Sequence, residues 1–393
     1  MRAFLSFLFS TCLAVVLFSQ DIRVQTALDN YNFDSVTMEM QRLCGDLPVS
    51  INGQNFTITS RLYNDPGNEL AFQYAKERFI NYGLETDEQV FSTNGKNLFG
   101  IKTGTVFPER VCMIGAHYDN LPTGSFAPGA DDNASGCSAV LEAARILSEY
   151  DFPNTIIFAL WDEEELGLFG SNAYTSQPSI HGDSLLGYIN LDMIGWDGND
   201  DNVSQVHVRP IGNSLGLQKI VVDCNDLYDI GLSLEIVNPG SANTDHYSFW
   251  QKGYSAVGIS EEYIGDFNPN WHSVTDVLAN FNLDYYDDNC RLAIASLTTL
   301  ALNKSGTLED SEVIGSAVIF PNPCNDFINV QFSQAIINPI EIELKDNLGR
   351  IVLEDHYEKI DGAKIGMQNQ SAGYYTLTIR TGDFVSSFPV IKI

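Results

Sequence analysis

Five short segments of this 393-residue sequence carry histidine or carboxylate side chains at or near the ends of apolar stretches. In the first segment, 114–119, His117 and Asp119 stand two positions apart. In an extended chain both side chains point to the same side, so the Asp119 carboxylate could accept the second ring N–H of a metal-bound His117. Taken alone, a His-x-Asp pair more often marks an ordinary loop histidine.

Two further segments place carboxylates side by side. Asp131 and Asp132 come directly before a predicted helix, where they could either cap its N-terminus or bind a metal. Residues 162–165 are four consecutive acids that follow an apolar strand, with no Lys or Arg in the segment 161–171. Their mutual repulsion would be relieved by a bound cation. The alternative is a solvated charged surface, which would more commonly include basic residues.

The last two segments each add one candidate ligand. Asp192 interrupts the end of the apolar stretch 188–195, and His272 stands in the polar segment 270–276. Taken separately, Asp192 could be a turn cap and His272 an ordinary loop histidine. Together the five segments supply His, Asp, Glu, Asp and His, which is the mixed nitrogen and oxygen set that zinc binds.

The elements that must position these residues alternate between helices and strands from residue 20 to about 305. The predicted helices are 69–82 and 134–150, and the predicted buried strands are 110–116, 155–161 and 186–191. Continuous apolar strands separated by helices are typical of an α/β fold with a mainly parallel central sheet and helices on both faces. Sites in such sheets form at the carboxyl ends of the strands.

The pattern changes after residue 305. Residues 306–314 are predicted to be a linker, and 315–393 alternate between polar and apolar residues, as in 340–344 and 374–380. Short alternating strands with turn signals predict a small all-β sandwich. At the other end, Arg2 and the apolar run that follows predict a signal peptide over residues 1–19, which is short for a membrane-spanning helix.

Charge and cysteine content exclude some classes of function. The net charge of −30 predicts a surface that repels nucleic acid and anionic membranes. No stretch after residue 19 is long and apolar enough to predict a membrane span in the mature chain. Of the six cysteines after the signal peptide, Cys112 and Cys137 lie in apolar strand and helix patterns and are expected to be buried free thiols. Disulfide pairing of the others cannot be predicted.

In their order and spacing, the five segments resemble the zinc aminopeptidase family that also includes glutamate carboxypeptidases and glutaminyl cyclases. The resemblance covers about residues 30–305 and implies two zinc ions. It implies the following roles: His117 and Asp192 hold one ion, Glu165 and His272 hold the other, Asp132 bridges them, Glu164 is the general base and acid, and Asp119 orients His117.

Register within the family motifs selects among neighbouring acids. The bridging Asp of the family stands three residues before the Ser of Ser-Gly, which selects Asp132 over Asp131. The Glu-Glu pair directly precedes x-Gly-Leu, which selects Glu164 and Glu165 over Glu163. The resemblance also implies a cis peptide after Asp132, and it makes His246, in the segment 244–253, a candidate substrate contact.

Residues 315–393 resemble the C-terminal sorting domain of type IX secretion. The motifs that carry this resemblance are 320–323, 347–350, 371–375 and the terminal 390–393. The resemblance implies export through the periplasm to the cell surface or the medium, with the type IX machinery as a partner. A plain substrate-binding module is the alternative.

The sequence therefore predicts a secreted zinc-dependent aminopeptidase that removes N-terminal residues from peptides. A glutaminyl cyclase of the same fold is one alternative, but that branch typically uses one zinc and lacks the Asp-Asp-x-Ala-Ser-Gly form of 131–136. A catalytically inactive binding domain is another. Such a domain would have lost ligands, whereas all five ligands and the general base are present in this sequence.

Overall fold

The structure is a computed structural model of the chain. It describes residues 20–122, 124, 126–177, 185–303, 318–320, 324–336, 339–346, 349–358, 360–381 and 384–393. The predicted signal peptide and linker lie outside these residues, as do 321–323 and 347–348 of the sorting-domain motifs.

Ten strands lie in the described part of residues 20–303. They are β1 (Val49–Ile51), β2 (Gln54–Phe56), β3 (Glu85–Val90), β4 (Lys96–Lys102), β5 (Phe107–His117), β6 (Asn154–Trp161), β7 (Leu185–Leu191), β8 (Val203–His207), β9 (Ser233–Val237) and β10 (Ala256–Ser260). Strands β1 and β2 form a hairpin, and the other eight form one sheet in the order β3-β4-β6-β5-β7-β10-β8-β9. The central strands β6, β5, β7 and β10 are parallel. The predicted parallel centre is confirmed, and β4 and β8 add antiparallel pairings on its two sides.

Helices cover both faces of this sheet, as predicted. They are α1 (Ile22–Asp29), α2 (Phe33–Leu43), α3 (Pro66–Asn81), α4 (Gly136–Leu147), α5 (Phe169–Thr175), α6 (Ser214–Leu227), α7 (His246–Gln251) and α8 (Leu283–Ala301). Helices α5 and α7 pack on one face, and the other six pack on the opposite face.

The burial of both faces explains the long apolar runs within the central strands. Along β5, Cys112 and Ile114 belong to the core under the six helices, whereas Val111 and Met113 belong to the core under α5 and α7. Successive side chains of a strand point to opposite faces, so a strand covered on both sides needs apolar residues at every position.

Two predicted helix starts differ from the structure. Helix α3 begins at Pro66, three residues before the prediction, because the Asp65 side chain accepts a hydrogen bond from the Gly67 N–H and proline suits the first helical position. Helix α4 begins at Gly136 rather than at residue 134. The preceding turn cannot be regular helix because Asp132 has φ −106° and ψ 92°.

The C-terminal region is a sandwich of two antiparallel sheets, as predicted. Its strands are β11 (Val318–Phe320), β12 (Phe327–Ile336), β13 (Ile340–Asp346), β14 (Ile351–Tyr357), β15 (Ile360–Gly366), β16 (Gly373–Thr381) and β17 (Phe384–Lys392). The sheets have the orders β11-β12-β15 and β14-β13-β16-β17. Ile328 and Ile365 of the first sheet share one apolar core with Ile342 and Leu377 of the second.

Two composition-based expectations can be compared with the described residues. None of their helices has both the length and the apolar composition that crossing a membrane requires. The six cysteines from Cys44 to Cys324 are buried and free, which confirms the expectation for Cys112 and Cys137.

Candidate metal centre

The carboxyl ends of the parallel strands meet at one edge of the sheet. Strand β5 ends at His117, β6 is followed by 162–165, and β7 is followed by Asp192. Register aligns these ends, since His117 lies opposite Trp161 and the Asp192 N–H bonds to the Ile259 carbonyl of β10. The fold therefore brings together side chains from segments that are far apart in the sequence.

Asp132 lies between the two candidate ligand histidines. Its Oδ1 is 3.2 Å from His117 Nε2, and its Oδ2 is 3.1 Å from His272 Nε2. His117 and Asp132 are buried, whereas the His272 side chain is 25% exposed. Atoms bound to one tetrahedral ion through bonds of 2.0–2.1 Å lie about 3.3 Å apart. Each oxygen of Asp132 is thus at a suitable distance from one histidine to share an ion with it.

Each histidine also contacts a second carboxylate. His117 Nε2 is 3.2 Å from Asp192 Oδ1, and His272 Nε2 is 2.9 Å from Glu165 Oε2. Ligand atoms of His117, Asp192 and Glu164 also lie within 4.8 Å of one another. The five sequence-predicted ligands and the predicted base therefore form one cluster.

The residues of this cluster fit a divalent metal. The Oε1 atom of Glu165 is buried and has no hydrogen-bond partner among the described residues, which is costly unless a cation or water binds it. Two imidazoles and three carboxylates are ligands that zinc accepts.

Charge in the cluster supports the same conclusion. Burial raises the pKa of the Glu164 carboxyl well above its usual value; His117 opposes this shift, and the Asp192 carboxylate adds to it. Burial and the Asp132 carboxylate raise the pKa of Glu165 to about 8. Burial by itself would lower the pKa of His272, but hydrogen bonds to Asp132 and Glu165 raise it to about 9. The cluster holds an excess of negative charge that either protons or a metal ion must neutralise.

Asp119 connects the first histidine to the glutamate pair. Its Oδ1 lies 3.4 Å from His117 Nδ1, and the same nitrogen is 3.2 Å from the Asp119 carbonyl oxygen. Its two carboxylate oxygens accept hydrogen bonds from the backbone N–H groups of Glu164 and Glu165, at 3.1 and 3.2 Å. One side chain therefore orients the ring of His117 and the backbone that carries both glutamates.

Neither Asp131 nor Asp132 caps the helix that follows. No side-chain capping bond is formed at the start of α4 or of the turn before it. Instead, Asp131 accepts hydrogen bonds from the Gly195 N–H and from the Asn268 amide, both at 2.8 Å. The peptide between Asp132 and Asn133 is cis, as the resemblance implied.

The third glutamate of the run, Glu163, points elsewhere. Its Oε1 accepts a hydrogen bond of 2.7 Å from the Ser92 hydroxyl, and its backbone has a φ of 56°. This left-handed residue turns the chain between Asp162 and Glu164, so that neighbouring glutamates face different surroundings.

His246 is fully buried among groups of the chain itself. Its Nδ1 is 2.6 Å from the Thr244 hydroxyl, and its Nε2 is 3.1 Å from the Ser241 carbonyl oxygen. Burial lowers its pKa well below the usual value, so the ring is neutral. Neither ring nitrogen is available to a substrate in this conformation.

Three residues that support the cluster were not singled out from the sequence. The Asp276 carboxylate accepts hydrogen bonds from the backbone N–H groups of Asp131 and Asp132, at 2.9 and 3.1 Å. Glu261 directly follows the apolar strand β10, the same signal that marked Asp192. It accepts a hydrogen bond from the backbone N–H of Asn268, in the segment that leads to His272.

The third missed residue, Arg61, has no comparable sequence signal. It is fully buried, and its guanidinium donates to the carbonyl oxygens of Leu43, Tyr118, Pro128 and Gly129 at 2.7–2.8 Å. It thereby joins the segment after β5 to the segment before Asp132. These four guanidinium contacts are all to backbone carbonyl oxygens, which no pattern of side chains reveals.

Comparison with known proteins gives two family matches. The profile of peptidase family M28 matches residues 97–297, and that of the secretion system C-terminal sorting domain matches residues 318–392. The second match confirms the resemblance of the sandwich to a sorting domain and indicates a secreted or cell-surface protein.

Curated relatives match part of the chain. The "Probable leucine aminopeptidase" of Arthroderma benhamiae is 31% identical over 206 residues, which are 49% of this chain and 55% of that protein. The leupeptin-inactivating enzyme 1 of Streptomyces exfoliatus is 27% identical over 269 residues, or 61% and 57% of the two chains. This chain thus spans little more than half the length of these relatives.

Solved structures share the fold. The LapA aminopeptidase of Legionella pneumophila aligns with a TM-score of 0.62 at 20% identity, covering 77% of this chain and 80% of its own. The glutaminyl cyclase of Porphyromonas gingivalis aligns with a TM-score of 0.56 at 18% identity, covering 68% and 98%. The family profile spans slightly more than half of the sequence, including all five candidate ligands and the candidate base, and the chain therefore belongs to peptidase family M28.

Proposed function

We propose that this chain is an exported aminopeptidase that holds two zinc ions and hydrolyses the peptide bond after the N-terminal residue of its substrate. The main support is the position of Asp132, whose two carboxylate oxygens each lie 3.1–3.2 Å from one histidine. A carboxylate in that position can serve two ions at once. The aminopeptidase names of the relatives support the reaction class.

Each zinc ion would be held by one histidine and one carboxylate of its own. His117 and Asp192 would hold the first, Glu165 and His272 the second, and Asp132 would be shared. When bound, zinc lowers the pKa of water and polarises the scissile carbonyl.

Glu164 is the proposed general base and acid. It lies with His117 and Asp192 in the cluster, and it is not needed as a ligand in the assignment above. Its buried carboxyl lies beside His117 and Asp192, where it can take a proton from water and return it to the leaving amine. Asp119 keeps Glu164 in place through its backbone N–H and orients His117 through Nδ1.

A free substrate amino group is expected to be required. The cluster carries an excess of carboxylates, and the whole chain has a net charge of −30, so a cationic N-terminus is attracted to the site. The test compares one good peptide substrate with its N-acetylated form, and acetylation should nearly abolish hydrolysis. Equal rates would indicate an endopeptidase or a carboxypeptidase. Cyclisation of N-terminal glutamine without peptide hydrolysis, with one zinc per chain, would indicate a cyclase.

Export is proposed to use both ends of the chain. Residues 1–19 would direct entry into the periplasm, residues 20–305 would form the peptidase domain, and 306–314 would link it to the sandwich. The type IX machinery would then recognise residues 315–393, which contain the sorting-domain match. Deleting 315–393 should leave the enzyme in the periplasm with unchanged hydrolysis. Normal secretion of the truncated chain would contradict this route.

A further inference from the structure

A pocket opens directly beside the glutamate pair. Its walls include Glu164, Glu165, Asn172, Asn243 and Gln251. Asn172 belongs to α5 and Gln251 to α7, the two helices on the same face of the sheet. The pocket therefore starts at the proposed general base and extends between these helices.

The wall combines polar groups with apolar ones, such as Leu168 and Ala242, and it carries little charge. Apart from Glu164 and Glu165, its described residues include no charged side chain. Three side-chain amides line it, and each can both donate and accept hydrogen bonds. In the part of the chain that the structure describes, the amides of Asn172, Asn243 and Gln251 make no hydrogen bond to another protein group. They are available to a ligand.

The chemistry at Glu164 indicates which part of a substrate lies here. A general acid must be within hydrogen-bond reach of the nitrogen that it protonates. The residue that carries the leaving nitrogen is therefore the substrate residue next to Glu164. Its side chain branches from the carbon bonded to that nitrogen, so it is the first side chain that can enter a pocket beginning at Glu164.

We propose that this pocket receives the side chain of the residue after the scissile bond and favours one that forms hydrogen bonds, such as glutamine, over an apolar one such as leucine. An apolar side chain would take water away from the three amides without replacing its hydrogen bonds, which is unfavourable. A glutamine amide would replace them. This inference rests on the proposed aminopeptidase function.

The experiment uses the full-length, zinc-loaded enzyme and three substrates that share one good N-terminal residue. One is the aminoacyl amide, which releases ammonia and has no second residue whose side chain could enter the pocket. The others are dipeptides with glutamine or leucine in second position. Wild-type kcat/KM should favour the glutamine dipeptide over the leucine dipeptide by roughly 3- to 10-fold, the usual effect of a hydrogen bond.

Two variants test the wall itself. Gln251→Leu, at the exposed end of α7, and Asn172→Leu should each reduce or reverse the preference for glutamine, while hydrolysis of the aminoacyl amide stays unchanged and shows that the site is intact. Gln177→Leu is the matched control, because Gln177 is an exposed glutamine just beyond α5 that does not line the pocket. It should behave as the wild type.

The outcomes separate the pocket from the proposed function. Hydrolysis of all three substrates with no preference for glutamine, or a preference that both variants retain, overturns the pocket assignment but leaves the aminopeptidase intact. If the wild-type enzyme hydrolyses none of the three, the proposed function fails, and this inference fails with it.

Discussion

The two regions of the molecule bury different kinds of side chain. In the α/β region, buried carboxylates gather at the strand ends, and Asp132 and Asp192 contact histidines. In the sandwich, the only buried acid among the described residues is Glu343, which is paired with Lys345 at 2.7 Å and Arg380 at 3.4 Å. Its other described buried residues are apolar except for Thr378.

The α/β region therefore buries carboxylates that could bind a cation, whereas the sandwich is stabilised mainly by apolar packing. Burying carboxylates without basic partners is costly, and a fold tolerates this where a bound cation compensates. A sandwich stabilised by apolar burial carries no such cost, and nothing in its described core resembles a catalytic set. Substitutions in the two regions should therefore affect different measurements.

The largest effect on the reaction is expected from Glu165→Ala. This change removes a carboxylate that is 2.9 Å from His272 and whose second oxygen has no hydrogen-bond partner among the residues that the structure describes. Hydrolysis should fall to background, and zinc content should fall from about two ions per chain to about one. Elemental analysis measures the zinc content, and the steady-state rate measures hydrolysis.

The matched control for this change is Glu358→Ala, which removes an exposed glutamate of the sandwich outside any candidate metal site of the described residues. It should alter neither the zinc content nor the rate. If Glu165→Ala retains full activity and both ions, the proposed ligand assignment is wrong.

The next largest effect is expected from Glu164→Gln. Glutamine keeps the size of the side chain but cannot accept a proton from water, so kcat should fall by roughly 10²- to 10⁴-fold while both ions remain bound. Glu163→Gln is the control, because glutamine retains an oxygen that can accept from the Ser92 hydroxyl. Its rate should stay near that of the wild type. If Glu163→Gln is inactive and Glu164→Gln is active, the general base has been assigned one residue too late in the sequence.

Asp119→Asn should have an intermediate effect. Asparagine has one oxygen in place of the two that accept the backbone N–H groups of Glu164 and Glu165, and it contacts His117 without a negative charge. Such partners of metal ligands usually contribute about 10- to 100-fold in metal affinity or activity. Competition with a chelator measures the zinc affinity, and kcat measures the activity. Unchanged values in both would show that Asp119 has only a packing role.

The smallest effect on hydrolysis is expected from Leu377→Ala in the sandwich. Leu377 is fully buried in the core shared by the two sheets, and its truncation should destabilise the sandwich by about 2–5 kcal/mol. Limited proteolysis within 318–393 should become faster. All four tryptophans precede residue 305, so the tryptophan fluorescence transition should not move. A loss of hydrolysis would show that the two regions depend on each other.

The sequence by itself determined the class of both folds. The continuous apolar runs within β5 and β6 predicted strands buried on both faces, and the alternation in β13 and β16 predicted a half-buried sheet. These patterns depend only on the period with which side chains meet the core. Helix boundaries were predicted less well, because the cap at Asp65 and the irregular turn at Asp132 depend on individual hydrogen bonds and backbone angles.

The types of the candidate site residues could also be taken from the sequence, since each motif is local, and the resemblance to the family supplied the predicted register. Only the tertiary structure decided how these motifs face one another. His272 meets Asp132 across 140 positions of sequence, and Arg61 reaches the carbonyl oxygens on both sides of the loop before Asp132. Asp131 and Asp132 are both buried acids in one turn. Asp131 accepts hydrogen bonds from a backbone N–H and a side-chain amide, whereas Asp132 faces the histidines. Such contacts depend on the order β6-β5-β7-β10 and on the path of the loops, and long-range chain paths are not encoded by local spacing.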